Sequence, residues 1–90
     1  MKKRFYVLFK GQIQGVGFRF TVMMKAREFN ITGSIRNLSD GNVEAYFEGE
    51  EVTIYNLLRD LYHINGFIRI DDYYMKEVPC INDTDFKVTY

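Results

Sequence analysis

The chain has 90 residues, 47% of them apolar, and its twelve Lys/Arg balance twelve Asp/Glu. That length holds one domain with a modest core and excludes a second lobe. A formal net charge of zero argues against sequence-independent binding to nucleic acid or anionic lipid, which rests on summed positive charge, so any anion bound here should be small and held locally.

The start, Met1-Lys2-Lys3-Arg4, looks like the basic head of a signal peptide. The apolar run after it is only about five residues, below the roughly 7–15 that such a core needs. Arg4 to Lys10 is aromatic and β-branched, which predicts a first strand closed by Gly11. Gly11-Gln12-Ile13-Gln14-Gly15-Val16-Gly17-Phe18-Arg19 then forms a glycine-rich loop ending in an arginine. From Phe18, the apolar positions Phe18, Val22, Ala26 and Phe29 fall on one face of a helix. Asn30 tolerates the left-handed conformation that ends many helices. Lys25, Arg27 and Glu28 should face water, and Met23 and Met24 should be ordinary packing residues.

Ile31 to Leu38 reads as a second strand, and Ser39-Asp40-Gly41-Asn42 as a tight reversal. Val43, Ala45 and Phe47 alternate with Glu44, Tyr46 and Glu48, as in a half-buried strand that Gly49 ends. Ile54, Leu57, Leu58 and Leu61 mark a second helix from about Glu51 to Ile64, stopped by Asn65-Gly66. Phe67 to Lys76 reads as strand four. Phe86, Val88 and Tyr90 alternate with Lys87 and Thr89 in a short last strand. Cys80 is the lone cysteine, which excludes an internal disulfide or a thiolate metal cluster and suits a reducing cytoplasm. No stretch approaches the roughly 20 apolar residues of a membrane span. A soluble, cytoplasmic, single-domain chain (residues 1–90) is the expectation.

The order is β-α-β-β-α-β plus a terminal strand. This is the split βαβ, or ferredoxin-like, α+β class: two helices on one face of a mostly antiparallel sheet. A right-handed β1-α1-β2 crossover makes strands one and two parallel. Their C-terminal ends then share one edge, so the loop from Gly11 to Arg19 should meet Asn37 in space.

Gly15 and Gly17 let the backbone adopt positive φ and approach a ligand closely. The loop feeds the N-terminus of a helix, whose free N–H groups carry partial positive charge. Arg19 adds a planar fork able to grip two phosphate oxygens. A tight turn and a solvated arginine would be the plain structural account, and the loop lacks the Gly-Lys-Ser/Thr ending of a P-loop. Asn37 offers both a donor and an acceptor that could hold a water beside a bound phosphate; alternatively it caps the turn.

Together these segments resemble the acylphosphatase family over essentially the whole chain. Residues 11–19 are similar to its first signature, with Ile13 where the family usually has valine. Gly33-Ser34-Ile35-Arg36-Asn37, followed by Asp40-Gly41-Asn42-Val43-Glu44 and Gly49, resembles the second. The family favours a large aromatic where this chain has Ser34, so altered packing or a loosened strand is expected there, with the chemistry intact. The resemblance implies hydrolysis of acyl phosphates without metal or cofactor. In it, Arg19 and the N–H groups of Gln14, Gly15, Val16, Gly17 and Phe18 bind the phosphoryl oxygens, and Asn37 orients the attacking water. It also implies an acyl phosphate as substrate and inorganic phosphate as product and competitor, with no nucleic-acid or membrane partner and a monomeric chain.

Other residues read as structural. His63, the only histidine, belongs on the surface near a helix C-terminus, where the dipole favours it. Cys80 reads as an incidental loop residue beside Pro79, and Glu50-Glu51, Asp71-Asp72 and Asp83/Asp85 read as solvated charge. Two other readings stand. An RNA-binding module of this architecture would stack bases on Tyr6 and Tyr46, though Glu44 and Glu48 on the same face would repel a phosphate backbone. A non-catalytic anion-binding or regulatory domain would keep the fold, as acylphosphatase-like domains do inside larger hydrogenase-maturation proteins; the lack of a zinc-finger extension favours the free-standing enzyme.

Overall fold

The computed structural model describes residues 1–64 and 66–90. Its elements are β1 (Lys2–Gln12), α1 (Phe18–Glu28), β2 (Thr32–Asn37), β3 (Val43–Glu50), α2 (Glu51–Tyr62), β4 (Arg69–Val78) and β5 (Phe86–Val88). They build one five-stranded sheet in the order β4-β1-β3-β2-β5, antiparallel except where β5 runs parallel to β2.

Alternation decides which face is covered. Phe5, Val7 and Phe9 of β1, Val43, Ala45 and Phe47 of β3, Ile35 of β2 and Phe86 of β5 are all buried. Every second residue of a strand points the same way, so they form one apolar face. Phe18, Val22 and Ala26 of α1 and Ile54, Leu57, Leu58 and Leu61 of α2 join the same core cluster. α1 packs on β2 and β5, and α2 on β3 and β4. Asn30 takes the left-handed conformation at φ 57°, ending α1 as its side chain allows.

Several boundaries moved. β1 runs two residues further at each end than its composition suggests because it is flanked on both sides, pairing Lys2 with Glu50 and Gln12 with Arg69. Gly49 does not end β3; it pairs with Lys3, so the ladder overrides the local glycine signal. α2 stops at Tyr62, and Asn65, half of its expected stop, lies outside the described residues. β4 begins two residues later than expected, leaving Phe67 exposed. Tyr90 lies beyond β5 and is exposed, as is Met24, whereas Met23 packs against the core. The ladder between β2 and β3 continues unbroken past Ser34, which pairs with Tyr46, so the strand is not loosened there. Gly33, at φ 140°, lies against the Tyr46 carbonyl with no room for a Cβ.

The largest departure from expectation is Glu48, which alternation alone would leave in solvent. It is 1% exposed. The segment after β4 must travel from one sheet edge to the other to supply β5, and it crosses the face opposite the helices. Glu48 fastens it: its carboxylate accepts the N–H groups of Ile81 and Asn82 at 3.0 and 2.9 Å. The cross-strand partner of Glu48, Arg4, donates to it at 3.1 Å and to Asp83 at 2.9 Å. Burial alone would raise the Glu48 pKa, but the Ile81 N–H, Lys2 and Arg4 together outweigh burial and bring it from 4.5 down to about 2. A depressed carboxylate stabilises the fold above its unfolded pKa and loses that contribution as pH falls through the folded one. Stability should therefore fall as pH drops from 4.5 toward 2. Glu48→Ala, which leaves Arg4 with Asp83 alone and takes the acceptor from the Ile81 and Asn82 N–H groups, should cost about 3 kcal/mol at neutral pH and flatten that acid limb. Urea melts across the acid range measure both effects; an unchanged acid limb would assign it to other carboxylates.

Candidate active site

β1 ends at Gln12, and Ile13 anchors the chain in the core before it turns. Gly15 and Gly17 sit at φ 77° and 80°, and a Cβ built on either would meet no atom within 4 Å. Neither glycine is therefore required by crowding within the chain. What they provide is the left-handed conformation and an open hollow above the backbone. Gly17 is the N-cap of α1, with no side-chain cap and no acidic residue in the first turn. The first N–H groups of a helix lack intrahelical partners. Among the described residues, no backbone acceptor serves the N–H groups of Gln14 to Gly17 either. A run of donors without backbone acceptors thus leads into a helix N-terminus, and such an arrangement suits an anion.

Arg19 follows, half-buried, with its guanidinium over the Tyr90 ring at 5.2 Å from the centroid. Stacking of this kind fixes the plane of the guanidinium while leaving its N–H edge free. Tyr90 is itself located through its neighbour, because Thr89 donates its N–H to the Ile35 carbonyl at 2.8 Å. Asn37 closes β2 opposite Val43. Its Oδ1 is buried and has no hydrogen-bond partner. A buried acceptor left alone costs about 1–3 kcal/mol, and unsatisfied groups of this kind collect at functional sites.

The two segments are stitched together by Gln14. Its side-chain Nε2 donates to the carbonyls of Leu38 and Asn42, at 2.7 and 2.9 Å. The loop is thereby tied to the hairpin that carries Asn37, while Arg19 is tied through Tyr90 and Thr89 to the same strand. Sequence reasoning placed Gln14 in the loop only through its N–H group and had no role for Tyr90. Both roles depend on partners far away in the chain, and no local spacing encodes them. Arg36, beside Asn37, turns away to pair with Glu44 on the outer face.

A cleft of about 360 Å³ continues from the hollow. Gly15, Gly17 and Arg19 line it together with Ile13, Phe18, Phe20, Met23, Val88 and Tyr90. The other candidates lie apart from it. His63 is exposed at the end of α2, and Cys80 is exposed and free. Among the described residues no group of His, Cys, Asp and Glu is arranged to hold a metal ion. On the outer face, the Tyr6 and Tyr46 rings meet edge to face at 5.3 Å. Arg4 lies over Tyr46, and the Tyr6 hydroxyl donates to Glu44 at 2.8 Å. Burial first, and then that hydrogen bond, push the Tyr6 pKa up to about 12. These rings already serve the sheet's own contacts. No helix among the described residues is long and apolar enough to cross a membrane.

Comparison with known proteins agrees with this geometry. The Acylphosphatase family model matches residues 5–88. An acylphosphatase of Clostridium acetobutylicum is 32% identical over the full length of both chains. The crystal structure of acylphosphatase from Bacillus subtilis superposes with a TM-score of 0.93 at 27% identity, again covering both chains completely. The HypF structure of T. kodakarensis contains a similar unit, with a TM-score of 0.86 and 35% identity; there all of this chain matches 12% of a much longer one. With the loop, the fold and these likenesses in agreement, the chain belongs to the acylphosphatase family and is an enzyme that hydrolyses acyl phosphates to a carboxylate and inorganic phosphate.

Proposed function

We propose that the phosphoryl group of the substrate sits in the hollow of the glycine loop. Arg19 grips two of its oxygens, and the N–H groups of Gln14, Gly15, Val16, Gly17 and Phe18 take up the remaining charge. The lone Oδ1 of Asn37 accepts a proton-bearing edge of one water and so aims its oxygen at phosphorus. What supports this reading is a pair of deficits on two segments that Gln14 ties together: donors without backbone acceptors in the loop and an acceptor without a donor at Asn37.

The chemistry asks for little more. Water adds to phosphorus as the bond to the carboxylate oxygen breaks; the carboxylate keeps the bonding electrons, and the water proton passes to phosphate or solvent. A carboxylate with a pKa near 4 leaves without a general acid. Catalysis then rests on positioning and on stabilising the phosphoryl oxygens, with neither metal nor cofactor. We assign this role to the chain as a single domain, a cytoplasmic monomer with no nucleic-acid or membrane partner.

The test uses benzoyl phosphate, whose hydrolysis is followed by absorbance, with inorganic phosphate as competitor. Inorganic phosphate should raise KM without lowering kcat, because it occupies the same hollow. Inhibition that lowers kcat and leaves KM unchanged would place phosphate elsewhere.

A further inference from the structure

We propose that the side chain of Gln14 is a positioning residue for the attacking water, setting the gap between the loop that holds the phosphoryl group and the strand end that carries Asn37; this rests on the placement of phosphoryl group and water proposed above.

Each half of the site takes its shape on its own. The loop is pinned in the core at both ends, by buried Ile13 and buried Phe18, and it bends at its own glycines. The hairpin after Asn37 is closed by its own bonds. Leu38 donates its N–H to the Asn42 carbonyl at 2.9 Å, and Gly41 donates to the Leu38 carbonyl at 3.3 Å. The Asp40 carboxylate accepts the Asn42 N–H at 3.0 Å and its side-chain amide at 3.1 Å. Among the described residues, only two hydrogen bonds join residues 13–19 to residues 37–43. Both come from Gln14 Nε2, which donates to the carbonyls of Leu38 and Asn42. These are the carbonyls through which the hairpin closes, so the amide spans its mouth with one N–H for each. A primary amide suits that task, because it offers two donors in one plane and carries no charge.

The gap matters because attack in line needs the water oxygen within about 3–3.5 Å of phosphorus and aligned with the leaving bond. A misplacement of about 1 Å can cost about 10²-fold. Loop and hairpin keep their own shapes without Gln14, so losing the tie alters their separation and spares the phosphate site.

The experiment uses Gln14→Met, which keeps the backbone N–H and nearly the length but removes both side-chain donors. Its kcat on benzoyl phosphate should fall at least about tenfold, with the inhibition constant of inorganic phosphate within a factor of about two. Gln14→Asn, whose amide is drawn back by one methylene, should show the same split. The side chain is half-buried in a loop, so the fold should survive, as far-UV circular dichroism will show. A double-mutant cycle with Asn37→Ala decides the route. If Gln14 acts through the water that Asn37 holds, Gln14→Met should cost less than about twofold in kcat once Asn37 is gone. Full additivity, or wild-type kcat in Gln14→Met, would overturn the positioning role while leaving the phosphoryl placement standing. So would a loss of phosphate inhibition that matches the loss of kcat. Retained kcat in Asn37→Ala would overturn the water placement and the positioning role with it.

Discussion

Arg19→Ala should reduce kcat/KM for benzoyl phosphate by more than about 10³, since removal of one preorganised donor typically costs about 10²–10³ and Arg19 supplies both a fork of donors and a full charge. The melting temperature should barely move. Arg19 is half-buried, and the contact found for it is the face of Tyr90, not a carboxylate. Removing it breaks no buried ion pair, in contrast to Glu48. Arg19→Lys is the sharper companion. It keeps the charge and loses the planar fork, so activity well below the wild-type level would locate the effect in geometry. Wild-type turnover by Arg19→Ala would end the phosphate assignment.

Asn37→Ala should separate catalysis from binding. If Asn37 holds the water, kcat should fall by about 10²–10³, while the inhibition constant of inorganic phosphate stays within a factor of about two. Stability gives an independent reading. The Oδ1 of Asn37 is buried without a partner, and removing such a group relieves a desolvation cost of about 1–3 kcal/mol. The variant should therefore be as stable as the wild-type protein or slightly more so, the usual mark of a residue kept for activity. Retained kcat with lost phosphate inhibition would make Asn37 a binding residue. A large loss of stability would make it a turn cap.

The sequence showed most of what is local. Spacings of three and four placed Phe18, Val22 and Ala26, and then Ile54, Leu57, Leu58 and Leu61, and all seven are buried. The alternation of Val43, Ala45 and Phe47 found the inner face of β3. The loop glycines, Arg19 and Asn37 stood out as residue types suited to an anion and a water. What the sequence hid was long-range. Glu48 looks like any outward carboxylate until a segment more than thirty residues later brings its N–H groups to it. Gly49 looks like a terminator until Lys3 pairs with it. Gln14 gave no sign that its amide would reach Leu38 and Asn42, and Tyr90 none that it would support Arg19. In each case the partner is brought in by topology, and no short pattern records it.

The crossing of the Pro79–Asp85 segment has a consequence for the enzyme's front. The buckle made by Arg4 and Glu48 sits at the opposite end of the sheet from the glycine loop, yet it decides where β5 begins. Val88 and Tyr90 inherit their positions from that anchorage. The wall of the cleft and the platform under the guanidinium are thus moored from behind, through a pair of charges that no substrate touches.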